Sequence, residues 1–242
     1  TAACREGAPE MRRLPVPLSA AGMAMALLPA IAAAQDTQGS WLANPRVQSQ
    51  LTAGKVVSHN ELDGKRSSAQ IDAAIRIDAP PQTVWKLLTE CKFASIYIPG
   101  LKHCRVIDHA ADGSWAVVEH DIKYSALVPM VHSVFRADYR DQQQIAFHRV
   151  SGDFKSEAGV WLLQAGADNS VTLEYHVAIQ PGFWVPRSMV QHSLKRQLPA
   201  ALIALRTRAE RMAAAASADT AASAAPAPAA RAPASPPASS TD

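Results

Sequence analysis

The stretch from Ile75 to Cys104 constrains the fold most, because a strand, a proline-opened helix, a second short apolar turn and a new strand follow one another within it. Ile71, Ala73, Ile75 and Ile77 alternate with Asp72, Ala74 and Arg76, the pattern of a strand with one buried face. Pro80 and Pro81 have no backbone N–H, so a strand ladder cannot continue through them, whereas their fixed φ suits a first helical turn. Val84, Leu87 and Leu88 share one helical stripe with Trp85 beside it. After Cys91 a shorter apolar segment with Phe93, Ile96 and Tyr97 stops at Pro99-Gly100. The spacing predicts two small helices bridging two strands.

Further along, turn residues at Asp112-Gly113, Ser151-Gly152-Asp153 and Asp168-Asn169 punctuate a run of strands close enough to pair antiparallel. We expect strands near 53–60, 67–78, 102–108, 114–124, 130–140, 143–151, 154–164 and 170–179. In the last of these, Val171, Leu173, Tyr175, Val177 and Ile179 form a dry side, and Thr172, Glu174 and His176 a wet one. The cover for the dry side is the segment from Pro186 to Met212, where Val190, Leu194, Leu198, Leu202, Leu205 and Ala209 recur at helical spacing. Pro199 interrupts that helix and predicts a kink. The class is therefore α+β: a curved antiparallel sheet of about seven strands wrapped around a long C-terminal helix, with two short helices after the first strand.

Met11, Arg12-Arg13, the apolar run Leu18–Ile31 and Ala32-Ala33-Ala34 have the order of parts of a secretory signal. We read 1–34 as upstream residues plus a leader starting at Met11 and cleaved after Ala34, 35–48 as a flexible segment, 49–212 as the folded domain and 213–242 as a disordered Ala/Pro/Ser tail. The competing reading of the leader is a membrane anchor, for which the run falls short of the roughly 20 apolar residues required. Export to the periplasm is the expected location. The formal charge of +3 names no acidic partner, and we expect no nucleic acid partner. Lys195, Arg196, Arg206, Arg208 and Arg211 read either as a solvated helix face or as a contact surface. Oligomeric state is not legible.

Two cysteines remain after the leader, Cys91 and Cys104. They read as a disulfide in an oxidising compartment or as two buried thiols. No His-Glu-x-x-His, Cys-x-x-Cys, Gly-x-Ser-x-Gly or phosphate-cradling glycine loop occurs, so we expect no metal, no cofactor and no catalytic residue of those types. His120 shares a strand face with Tyr124, and His132, His148 and His176 lie on neighbouring strands, either as an acid–base cluster or as ordinary strand histidines.

The order of elements, with Ile77-Asp78-Ala79-Pro80 leading to Val84-Trp85, then Ile98-Pro99-Gly100, Gly152-Asp153-Phe154, Gly159, Trp161 and Pro186, resembles the START-related helix-grip superfamily in its polyketide cyclase/dehydrase and coenzyme Q-binding branch. The resemblance spans about residues 50–212; Cys91 departs from the Asp common there in that branch. It implies a hydrophobic cavity that receives a lipid, an isoprenoid quinone or a polycyclic aromatic molecule. The cavity-lining candidates are Tyr97, Tyr124, Phe135, Phe147, Tyr175, Met189, Leu194 and Leu198. Leu127, Met130, Phe183 and Trp184 lie in two apolar loops that suggest a mouth or a transient membrane contact. The first functional reading is a carrier or chaperone without covalent chemistry, against a cyclase/dehydrase enzyme using the same cavity and a protein-interaction module.

Overall fold

The computed structural model describes residues 41–63, 68–124, 126 and 128–224. The elements run α1 (Pro45–Thr52), β1 (Val57–Asp63), β2 (Ser68–Ile77), α2 (Pro81–Thr89), α3 (Cys91–Tyr97), β3 (Leu101–His109), β4 (Trp115–Ile122), β5 (Val131–Arg140), β6 (Gln144–Gly152), β7 (Phe154–Ala165), β8 (Val171–Pro181), α4 (Arg187–His192), a π-helical turn (Ser193–Gln197) and α5 (Leu198–Ala224). The strands form one antiparallel sheet in the order β1-β2-β8-β7-β6-β5-β4-β3, eight strands rather than about seven. The short helices follow the second strand, because the chain opens the sheet with β1, four residues later than the sequence suggests.

α2 begins where Pro80 and Pro81 end the β2 ladder, and it buries Val84 and Leu87. These two join Ile75, Ile77, Leu173, Leu202, Leu205 and Ala209 in the main core. The stripe on the C-terminal helix thus meets the dry side of β2 and β8. Burying a leucine there stabilises by roughly 2 kcal/mol.

At Pro199 the structure has a π turn. Leu198 N–H reaches back five residues to the Ser193 carbonyl. The proline ring collides with the carbonyl of a preceding α-turn, and the wider turn just before it accommodates that ring.

Three expectations are corrected. Residues 41–48 are not a flexible segment: Asn44 caps α1 by accepting from Arg46 N–H at 2.9 Å, and Leu42 and Leu51 pack with Val57 and Ala74 on the outer face of the sheet. The supposed wet side of β8 is buried at two positions, Glu174 being 2% and His176 3% exposed, where Gln164 donates to Glu174 and His176 contacts Asp72. The tail does not begin at 213, since α5 continues to Ala224. Alanine is the best helix former, so a stretch with nothing to bury still propagates an established helix. The leader and residues 225–242 lie outside the described residues. Among the described residues no helix is long and apolar enough to cross a membrane.

Candidate functional site

Between the inner face of the sheet and the α3 and α4–α5 helices lies a cavity of about 770 Å³. All eight sequence candidates stand on its wall: Tyr97 on α3, Tyr124 after β4, Phe135 on β5, Phe147 on β6, Tyr175 on β8, Met189 on α4, Leu194 in the π turn and Leu198 at the start of α5. Phe183 also lines it and packs with Met189 against Val128, Val131 and Phe154. Trp184 is 80% and Met130 48% exposed, outside that wall, and Leu127 lies outside the described residues.

The sheet wall is aromatic. His120 meets Phe135 edge-on at 5.0 Å, Phe135 meets Phe147 at 5.9 Å, and Phe147 faces Tyr175 at 6.4 Å. Tyr175 stacks on Trp161 at 4.1 Å, and Trp161 meets Tyr97 edge-on at 6.2 Å. Each such contact contributes about 0.5–1.5 kcal/mol beyond burial. Phe147 crosses β7 to reach Tyr175 because Gly159, its partner across the strands, has no side chain. A Cβ at 159 would stand 2.6 Å from the Phe147 ring and 2.4 Å from the His176 carbonyl oxygen.

The opposite wall is closed covalently. Cys91, at the start of α3, is bonded to Cys104 on β3 with Cα atoms 5.4 Å apart, and both line the cavity. Of the two readings of this pair, the structure has the disulfide.

Polar groups on the wall are few. His120 is 8% exposed and makes no hydrogen bond with a described residue, and burial lowers its pKa from 6.5 to about 4, so the imidazole is neutral at physiological pH. Directly across from it on β5 is Ser133, whose hydroxyl donates to Glu157 Oε2 at 2.6 Å. Glu157 projects inward from β7, and the strand between carries Gly152 opposite Ser133. Burial pushes the Glu157 carboxyl above the usual carboxylate range, against the opposing pull of the Ser133 hydroxyl and the Arg149 charge. Burial also raises the Tyr124 and Tyr175 phenols, and both feel the Glu157 charge. Glu157 and Ser133 were missed in the sequence. The available signal was register: Glu157, Gly159, Trp161 and Leu163 alternate onto the dry face, where a carboxylate is out of place.

The other histidines of that reading are not part of the cavity, although His192 of α4 does line it. His176 faces the outer side of β8, where it contacts Asp72 at 2.6 Å and Glu174 at 3.2 Å. His132 pairs with Asp121 at 2.9 Å, both half-buried, and His148 is exposed. Of the acid–base cluster read from the sequence, His120 and Tyr124 therefore remain on the wall. Among the described residues of the wall no base is oriented by a third group toward a nucleophile. Among the described residues no group of three or more His, Cys, Asp or Glu could hold a metal ion.

Comparisons with known proteins agree with this architecture. Three solved structures share the fold at low identity. The STAR-related lipid transfer protein fragment from Xanthomonas axonopodis is 17% identical, with 63% of this chain and 92% of that one covered and a TM-score of 0.52. Human STARD10 is 12% identical, covering 69% and 74%, with a TM-score of 0.56. The Zhui aromatase/cyclase from Streptomyces sp. R1128 is 15% identical, covering 60% and 94%, with a TM-score of 0.50. No curated protein is a match to the sequence. Residues 77–206, more than half of the chain and the stretch from the end of β2 into α5, match the family of polyketide cyclase / dehydrase and lipid transport proteins, and the chain belongs to that family.

Proposed function

We propose that the protein binds a hydrophobic small molecule, a lipid or an isoprenoid quinone, inside the cavity and serves as its carrier or chaperone without covalent chemistry. The observation that carries this reading is the cavity itself: about 770 Å³ of space walled by Tyr97, Phe135, Phe147, Trp161 and Tyr175. A void of that kind is costly when empty and tends to stay dry, and its size falls within the range of roughly 300–1,000 Å³ typical of small-molecule sites. The leader read at 1–34 and the Cys91–Cys104 bridge support an oxidising compartment, the periplasm, as the place of action. The exposed Trp184 and Met130 beside the wall support a transient contact with a membrane surface.

The test is solvent extraction and native mass spectrometry of the protein purified from the cells that make it. We expect one class of apolar compound to accompany the wild type and to be lost from Ala201→Phe, which places a ring in the cavity. An empty wild type that also takes up no apolar probe overturns the reading. Trp184→Ser with Met130→Ser should weaken binding to liposomes several-fold while leaving the fold intact; unchanged binding removes the membrane contact.

A cyclase/dehydrase reading draws support from one observation, the unpartnered His120 imidazole on the wall. Turnover of a polyketide by the wild type, lost in His120→Phe with binding retained, would favour it.

A further inference from the structure

The distribution of charge on the wall restricts what the cavity can hold. Among the described residues its acidic groups are Glu90 and Glu157, its histidines are His120 and His192, and no lysine or arginine reaches it. Arg149 stands behind Glu157, outside the lining, with its Nη2 donating to the Gly152 carbonyl at 2.9 Å. An anionic head group entering here would meet a carboxyl group and no lysine or arginine, and an unpaired buried charge is strongly disfavoured. The wall does offer unengaged hydrogen-bonding groups, with Glu157 near enough to Tyr124 and Tyr175 for both to feel its charge. The second oxygen of Glu157, the Tyr124 and Tyr175 hydroxyls and the His120 ring nitrogens make no hydrogen bond with any described residue. Glu157 is held in place by Ser133, which is 2% exposed and lies opposite His120. Tyr124 is 38% exposed, and polar groups on a cavity wall left in this state are satisfied by water or by a guest.

We infer that the cavity selects an uncharged apolar molecule bearing a hydroxyl or carbonyl group, and that this group docks among Glu157, Tyr175, Tyr124 and His120. The inference rests on the reading of the cavity as a ligand site and names the class of ligand. Fatty-acid carboxylates and lipid phosphates are rejected by the same groups that accept a neutral alcohol or ketone. The rise in the Glu157 pKa accords with this, since burial already opposes its charge before any second anion arrives.

The experiment uses three probes that share one polycyclic body: 1-pyrenebutanol, 1-pyrenebutyrate and 1-butylpyrene. Binding to the full chain is followed at pH 8 by energy transfer from the protein's tryptophans. We expect the alcohol to bind at least about tenfold more tightly than the carboxylate and about threefold or more better than the hydrocarbon, in line with the loss expected when buried polar groups go unpaired. In Glu157→Gln the gap between alcohol and carboxylate should shrink to within about threefold. Tyr175→Phe should weaken the alcohol alone and leave butylpyrene unchanged, so a second variant stands if the first does not fold. Carboxylate binding equal to that of the alcohol overturns the charge selection, with the ligand site itself left standing. Equal binding of alcohol and hydrocarbon, or an unchanged gap in Glu157→Gln, overturns the docking of the polar group. Failure of all three probes to bind overturns the ligand site and this inference with it.

Discussion

One helix passes over two ends of the same sheet, and the two ends differ in what fills the space beneath it. At one end Leu205 and Ala209, both fully buried, share a cluster with Ile75, Ile77, Val84, Leu87 and Leu173. At the other end the π turn and α4 present Leu194, Leu198 and Met189 to an aromatic wall across an open volume. Both ends are apolar, so hydrophobicity does not distinguish a core from a container. Volume does. Small residues stand on the open wall at Ala94, Ala137 and Ala201, and the polar Glu157 and His120 occur only at that end.

The sharpest way to break this contrast is a matched pair of truncations. Leu205→Ala should cost about 3–5 kcal/mol, because it creates a cavity in a filled region. Leu198→Ala, which enlarges a space that already exists, should cost about 1 kcal/mol. Equal losses in chemical denaturation would mean that the open end is as tightly packed as the other.

Next in size is the covalent tie. Cys91 and Cys104 are 13 residues apart, and opening so short a loop should cost about 3 kcal/mol in the chain-entropy account. The double Ser variant should lose amide protection first in α3 and β3, while β2, β8 and α5 keep theirs. Uniform loss along the chain would join the two ends into a single cooperative unit.

A further expected effect concerns pH. A histidine in the unfolded chain takes up a proton near 6.5, whereas folded His120 does so only near 4. The unfolded state therefore binds more protons in that window, and stability should fall as pH drops through it. His176, whose pKa is raised by Glu174 and Asp72, acts in the opposite sense: its contribution is complete below 6.5 and is lost as pH rises past its folded value. The two are separated by comparing the wild type with His120→Phe, in which the decline between about pH 6.5 and 4 should flatten. An unaltered slope would show that this ring is not held neutral by burial.

Much of the architecture was readable because period alone sets which way a side chain points. The alternation from Val171 to Ile179 and the stripe from Leu194 to Ala209 put the right faces together, and parity sufficed to set Phe135, Phe147 and Tyr175 on one wall. What escaped has a common cause. The helix at Pro45–Thr52 buries Leu51 as its one fully shielded side chain, too few apolar positions to show a period. Glu174 and His176 are buried although their residue types suggest water, because their partners Gln164 and Asp72 come from other parts of the chain. Glu157 was overlooked because its partner, Ser133, is 24 positions away and meets it only after the sheet has folded.

Gly159 bears on how such a pocket can diversify. Its absent methyl group is hemmed in by the carbonyl of His176 below and the ring of Phe147 above, so replacement there would displace both strand and aromatic. Retailoring of the interior for another cargo would have to proceed through the rings themselves, while this bare spot stays fixed as the hinge point on which their contact turns.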